Sequence, residues 1–213
     1  TPAGKIGLFE IDAKAADIHA YAMIDGGGAA EVGLDNVAAT CLSEDAADAI
    51  EAALDAGRLA LCAEAVGAMD VLKEMTKDYL MQRQQFGRPI ATFQALQHRL
   101  VDLSIEIEQA RSIVIHAAGA LDTPGRALAV AKAKNLIGRA GKLVAEEAVQ
   151  MHGGIGMTWE YSGSHHAERL IMIDHQLGDT EDQLRTARAL WDSATADCCD
   201  AVGPADSPPR AVR

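Results

Sequence analysis

The stretch FQALQHRLVDLSIEIEQARSIVIHAAGAL, residues 93–121, decides the fold. Its apolar positions Phe93, Leu96, Leu100, Leu103, Ile107, Ala110, Val114, Ala117 and Leu121 recur at steps of three and four without a break. That spacing draws one stripe down a helix of roughly 43 Å, at 1.5 Å per residue. A stripe that long needs partners of matching length. Val130, Ala133, Ile137, Ala140, Val144, Ala148 and Met151 form a second, and Leu54, Leu61, Ala65, Ala68, Leu72, Met75 and Tyr79 a third. Only the short breaks FGRPIAT and LDTPGR intervene, which predicts antiparallel packing. A fourth helix, from about Thr180 to Ala194, completes an antiparallel four-helix bundle, with Ser43 as the cap of the first helix.

Upstream of Ser43 the character differs. Residues 4–42 carry β-like runs divided by the turn signals DGGG and LDN, too few to close a sheet alone. Downstream, DCCDAVGPADSPPRAVR has the Pro, Gly and charge content of a disordered tail. The predicted architecture is therefore mainly α: a β segment over 1–42, the four-helix bundle over 43–195, and a tail over 196–213.

Composition narrows the function. A chain of 213 residues can bury a sizeable core, and a net charge of −12 with only eight aromatic residues (Trp 2, Tyr 3, Phe 3) argues against a nucleic-acid surface. The cysteines Cys41, Cys62, Cys198 and Cys199 show no metal-ligand spacing, and the adjacent pair is a poor disulfide, which points to a reducing, cytoplasmic setting. No run reaches the roughly 18 to 20 apolar residues that cross a bilayer, so membrane insertion is not expected. The N-terminus TPAGKIGLFEID lacks a signal-peptide layout, and a start at Thr1 is expected of a piece of a longer chain.

Four features interrupt this structural pattern. Arg58 falls on the apolar stripe between Leu54 and Leu61, and a guanidinium so placed needs an anion, either a bundle carboxylate or a ligand. RQQFGRPI clusters Arg83, Phe86 and Arg88 where Gly87 and Pro89 end a helix. MHGGIGMT closes the next helix with Gly153 and Gly154, as a C-cap or as a close approach to phosphate. LGDTEDQL, residues 177–184, sets Asp179, Glu181 and Asp182 around Thr180, the pattern of a capped helix start.

Together RQQFGRPIATFQALQHRLVDL, AVQMHGGIGMTWEY and IDGGGAAEVGLDNV resemble the C-terminal half of an acyl-CoA dehydrogenase, in order and separation, from about Gly4 to Leu190. The resemblance implies the last strands of a middle β domain followed by the C-terminal helical domain, with FAD held between them and a neighbouring subunit. It implies that Arg83 reaches the FAD diphosphate of a partner subunit, with Phe86 near the adenine and Gln94 beside them. It further implies that Gln150, Gly153 and Gly154 approach the same dinucleotide, that Thr180 lies near the flavin diphosphate, and that Asp55 and Arg58 contact coenzyme A. Electrons would pass to an electron-transfer acceptor.

At the base the chain departs from the family. The glutamate that removes the α-proton of the thioester would stand at Gly178 or, in the alternative position, at Gly57. Both are glycine. Asp179 is the carboxylate nearest in sequence, one residue off, and a misplacement of about 1 Å can cost around a hundredfold. The expected role is thus a subunit of an FAD-dependent acyl-CoA dehydrogenase acting on an acyl-CoA thioester, in a homo- or hetero-oligomer, a hetero-tetramer above all, whose partner chain supplies the glutamate. The alternatives are a non-catalytic structural paralogue and a flavin oxidase relative with Asp179 as base.

Overall fold

A computed structural model describes residues 4–201. Four strands come first, β1 (Leu8–Ile11), β2 (Asp17–Ala22), β3 (Gly28–Gly33) and β4 (Ala39–Ser43). They form two antiparallel pairs, β1 with β4 and β2 with β3, the second in register from Asp17↔Gly33 to Ala22↔Gly28. Neither pair covers the other's apolar residues: Phe9, Ile18, Tyr21, Val32 and Leu42 are all exposed. An ion cluster, in which only the Asp25 side chain is fully covered, ties this segment to the helices. Asp25, in the β2–β3 turn, accepts from Arg169 Nη1 at 2.9 Å, and the same guanidinium holds Glu64 through Nε at 2.6 Å and Nη2 at 2.8 Å. Arg169 holds the Glu64 carboxyl below its ordinary range, and the Gly27 amide, with Arg169, does the same for Asp25.

The helices are α1 (Ala47–Gln82), α2 (Gln94–Gly119), α3 (Arg126–His152), α4 (Ser162–His175) and α5 (Thr180–Ala201), with a two-residue ladder between β5 (Gln84–Gln85) and β6 (Arg88–Pro89) after α1. Five helices lie among the described residues: α1, α2, α3 and α5 over the four expected segments, and the shorter α4 between α3 and α5. The unexpected one, α4, contains the continuous apolar run LIMI. It is helical because Ala167, Leu170 and Ile173 bury together against the core. The last helix continues past the expected Ala194 to Ala201, and residues 202–213 of the expected tail lie outside the described residues, as do the side chains of Cys198 and Cys199.

Ser43 is not a helix cap. It ends β4, and its hydroxyl bonds with the Asp45 backbone, while α1 begins after Ala46 with no side-chain cap. The buried face of α1 is also turned by about one position from the expected stripe. Asp55, Leu59, Cys62, Val66, Met69, Leu72, Thr76 and Leu80 are buried, while Leu54, Leu61 and Met75 lie at the edge. Contacts with α2, α3 and α4 cover α1 on more than one side, so two adjacent stripes carry apolar residues and periodicity alone does not choose between them.

Helix α3 is the axis of the bundle and packs against all four others. Its small residues make that possible: Ala129, Ala133, Gly138, Ala140, Gly141, Ala145 and Ala148 are buried. Gly138 is the extreme case. A Cβ there would overlap Asp174 Oδ1 and Thr180 Oγ1, so the α4–α5 corner rests directly on the α3 backbone. Cys62 is buried in this core, and burial pushes its thiol pKa up to about 12.

Candidate functional site

The expected site residues fall into two groups, one at the α4–α5 corner and one at the far end of the bundle. At the corner, Asp55 is 3% exposed and its carboxylate is held on both sides. Oδ1 accepts from Arg58 Nη1 at 2.9 Å, and Oδ2 from Arg126 Nε at 3.0 Å. Arg58 therefore has the internal carboxylate that its position on α1 requires. Its Nε then reaches across the bundle to donate to Leu177 O at 3.0 Å.

Leu177 and Gly178 both have left-handed backbone, φ 57 and 97. A leucine there is uncommon and strained by about 1 to 3 kcal/mol, so its surroundings must hold it. Leu177 O takes Gln183 Nε2 at 3.3 Å as well as Arg58. Lys134, fully buried on α3, donates to Ile173 O at 2.9 Å, Asp174 O at 2.9 Å and Gly178 O at 3.0 Å. One ammonium thus satisfies the carbonyls at the end of α4 and in the turn. Burial lowers the Lys134 pKa below its ordinary value, and the Asp174 charge partly offsets this.

Asp179 is the cap of α5. Its Oδ1 accepts from Asp182 N at 2.8 Å, and Asp182 Oδ2 lies 3.4 Å from Asp179 N, a reciprocal box that satisfies the helix start. Thr180 is bound to Asp174: its hydroxyl donates to Oδ1 at 2.8 Å and its amide at 3.1 Å. The two positions without a carboxylate meet the same turn. A Cβ on Gly57 would stand 3.0 Å from Leu177 Cδ1, and one on Gly178 would stand 2.5 Å from Gln183 Nε2.

At the far end, Arg83 follows α1 in extended backbone and begins a hairpin whose two-residue turn is Phe86–Gly87. Both have positive φ, 52 and 76, as a type I′ turn demands. Phe86 is 89% exposed at the tip, and Phe93 lies edge-on to it with ring centroids 6.0 Å apart. Arg88 sits 4.3 Å above the Phe93 ring, so its charge is drawn to the aromatic face. Gln94 opens α2 at the same end. The tip of α3 adjoins it, with the Tyr79 and His152 rings 4.7 Å apart. Beyond His152 come Gly153, with φ 67, and Gly154; a Cβ on either would meet nothing within 4 Å. Gln150, Gly153 and Gly154 are exposed.

The two groups do not converge within one chain. Thr180 lies against Gly138, and Gly153 is fifteen residues farther along α3, about 22 Å at 1.5 Å per residue. The sequence marked Asp55 and Arg58 together only as coenzyme A contacts, without pairing them with each other, and gave no sign of Arg126, Lys134 or Leu177 as their neighbours. Lys134 had a usable signal: it lies four residues after Val130 and three before Ile137, a charge on a buried face just as Arg58 is. No group of His, Cys, Asp or Glu able to hold a metal occurs among the described residues, and none of their helices is long and apolar enough to cross a membrane.

Comparison with known proteins agrees with this architecture. Residues 47–189 match the family model for the acyl-CoA dehydrogenase C-terminal domain. Acyl-CoA dehydrogenase IpdE2 of Mycolicibacterium smegmatis is 38% identical over 135 residues, which are 63% of this chain and 42% of that protein. Among solved structures, the Tcur3481-Tcur3483 steroid ACAD, a single-site variant, superimposes with a TM-score of 0.82 at 32% identity, covering 89% of this chain and 53% of that one. The ChsE4-ChsE5 complex of Mycobacterium tuberculosis shares the fold, with a TM-score of 0.74 at 24% identity over 90% of this chain and 50% of that one. The chain thus spans about half the length of the proteins it matches, and over that half it belongs to the acyl-CoA dehydrogenase family, whose C-terminal helical domain it carries.

Proposed function

We propose that this chain is a component of an FAD-dependent acyl-CoA dehydrogenase, contributing contacts to FAD and coenzyme A while a partner chain supplies the carboxylate that removes the α-proton. The observation that carries this reading is the packing at Gly57 and Gly178. Neither position bears a carboxylate, and the Cβ direction of each is filled, by Leu177 and by Gln183. The neighbouring Asp179 already holds the Asp182 amide as a helix cap. A general base must lie within hydrogen-bond reach of the proton it takes, and an unengaged carboxylate in a partner meets that demand better than a capping one.

The residues at the far end fit FAD by chemistry. Arg83 is an exposed guanidinium that suits a diphosphate, Gln94 and Gln150 are exposed amides, and the Gly153–Gly154 backbone is open to close approach. The strained, outward Phe86 ring suits an adenine face. Bound FAD would supply the hydride acceptor for oxidation of the Cα–Cβ bond. At the corner, Arg58 and Arg126, fixed by Asp55, offer positive charge to coenzyme A, and Thr180 is held in place by Asp174.

The distance between these groups favours an oligomer. A single diphosphate is far shorter than the roughly 22 Å between the level of Thr180 and Gly153 on α3, so both can touch one diphosphate only from different chains. Exposed Met157 and Trp159 beside the Gly153–Gly154 turn suit such a neighbour, and the names of the structural relatives, a Tcur3481-Tcur3483 ACAD and a ChsE4-ChsE5 complex, favour a hetero-oligomer. The test is co-expression with the chain encoded beside it, followed by flavin absorbance and acyl-CoA-dependent dye reduction. The expected result is bound FAD and turnover in the assembly, and no turnover by the 213-residue chain alone. An assembly without flavin would make the chain a structural paralogue, and dye reduction by the pure chain would remove the need for a partner base.

A further inference from the structure

The segment MHGGIGMTWEYSG, residues 151–163, contains four glycines of two kinds. Gly153 and Gly154 face open space. Gly156 and Gly163 do not. A Cβ on Gly156 would stand 2.9 Å from His152 Cβ, and one on Gly163 would overlap the Tyr161 ring. Gly156 lets the chain close against the end of α3 at His152, and Gly163 clears room for the Tyr161 ring.

The His152 and Tyr161 rings are joined by a hydrogen bond of defined direction. His152 is buried at the end of α3, with Nδ1 2.7 Å from Ala148 O. A carbonyl only accepts, so Nδ1 carries a proton, and in the neutral imidazole Nε2 is then the acceptor. The Tyr161 hydroxyl donates to Nε2 at 2.6 Å. Tyr79 of α1 and Tyr161 both lie against the imidazole, with ring centroids 4.7 and 4.8 Å away. One imidazole therefore ties α1, α3 and the approach to α4 together, next to the exposed glycine pair. Within the loop, Thr158 Oγ1 donates to Ile155 O at 2.9 Å, and Ser164 Oγ lies 2.9 Å from Thr158 O and 2.6 Å from Tyr161 O. Gly153 and Gly154 have no side chains by which they could be ordered, so the order of their backbone must come from residues that flank them.

We propose that the Tyr161–His152 hydrogen bond is the positioning device of the Gly153–Gly154 turn, holding its backbone at the place where a dinucleotide phosphate approaches. The proposal rests on the FAD reading above. Neither ring touches the dinucleotide; both act through the turn. A phenylalanine at 152 would fill the same space without accepting from Tyr161, so the chemistry of the bond, not the volume of the rings, is what the proposal requires.

The test uses the full chain within its FAD-bearing assembly. Tyr161→Phe removes one oxygen and keeps the ring. Amide exchange at residues 153–156 should rise about tenfold and FAD affinity fall about tenfold, the scale of one lost hydrogen bond, with exchange in α1 and α2 unchanged. His152→Leu should give a similar loss of affinity, and the double variant no more than either, because both remove the same interaction. His152→Gln keeps an acceptor near the Nε2 position and should recover most of what His152→Leu loses. Bound FAD with unchanged exchange at 153–156 would overturn the proposal alone, as would loosened exchange without loss of FAD affinity, or additive losses in the double variant. A wild-type assembly that binds no FAD would overturn the FAD reading and this proposal together.

Discussion

Gly57 and Leu177 share one space: a Cβ on the helix residue would stand 3.0 Å from Leu177 Cδ1. The left-handed leucine lies where a side chain at 57 would begin, and Gln183 does the same for Gly178. The two glycines therefore differ in what a glutamate would cost. Gly178→Glu meets both φ 97 and a neighbour at 2.5 Å, and should destabilise the chain by about 1 to 3 kcal/mol. Gly57→Glu meets only the end of a flexible side chain and should cost less. Urea unfolding of both variants checks the order, and a Gly178→Glu chain as stable as wild type would show that the turn relaxes freely.

Asp179→Asn separates a cap from a base. Asparagine caps about as well as aspartate, so turnover in the complete assembly should fall less than about tenfold. Removal of a general base costs roughly 10² to 10⁴. A thousandfold loss with FAD still bound would make Asp179 catalytic. Asp179→Ala should lower stability by about 1 kcal/mol through loss of the bond to Asp182 N.

Lys134→Met should be among the most damaging single changes. It leaves Ile173 O, Asp174 O and Gly178 O without their donor, at a cost of about 3 kcal/mol. The pH dependence has a definite sign. Burial puts the folded pKa of Lys134 below 10.5, so the unfolded chain binds the proton more tightly between the two values, and stability rises with pH there. The wild type should therefore gain on Lys134→Met as pH climbs toward 10.5, measured by unfolding at each pH.

Cys62 acts in the opposite direction. Its thiol is raised from 9.0 to about 12 by burial, so above pH 9.0 the unfolded chain loses a proton that the folded chain keeps. Stability should fall by up to about 1.4 kcal/mol per pH unit between those values. A Cys62→Ala chain should lack this part of the slope. Equal slopes in the two chains would mean that the thiol ionises freely in the fold.

Arg83→Ala should weaken FAD retention in the assembly, since a charge-assisted contact with a diphosphate contributes roughly 1.5 to 3 kcal/mol. The bundle itself should unfold as before, because Arg83 is exposed. Unchanged FAD content after dialysis would leave Arg83 as a solvated loop charge.

Local chemistry in the sequence was enough for α2 and most of α3. Their stripes repeat at the helical period over many turns, and Leu103, Ile107, Ala110, Val130, Ile137 and Val144 are buried as that period requires. The positive φ at Gly153 was legible for the same reason, because a helix that ends on glycine needs little beyond its own backbone. What tertiary structure decided were the relations across long separations. Lys134 meets Gly178, Arg58 meets Leu177, and Tyr161 meets His152 only once α4 is folded against α3. No period marks such pairs, because each depends on where another helix ends. The face of α1 was settled in the same way: covered on more than one side, it buries Asp55 with two arginines, and Leu54, which the pattern preferred, is left at the edge.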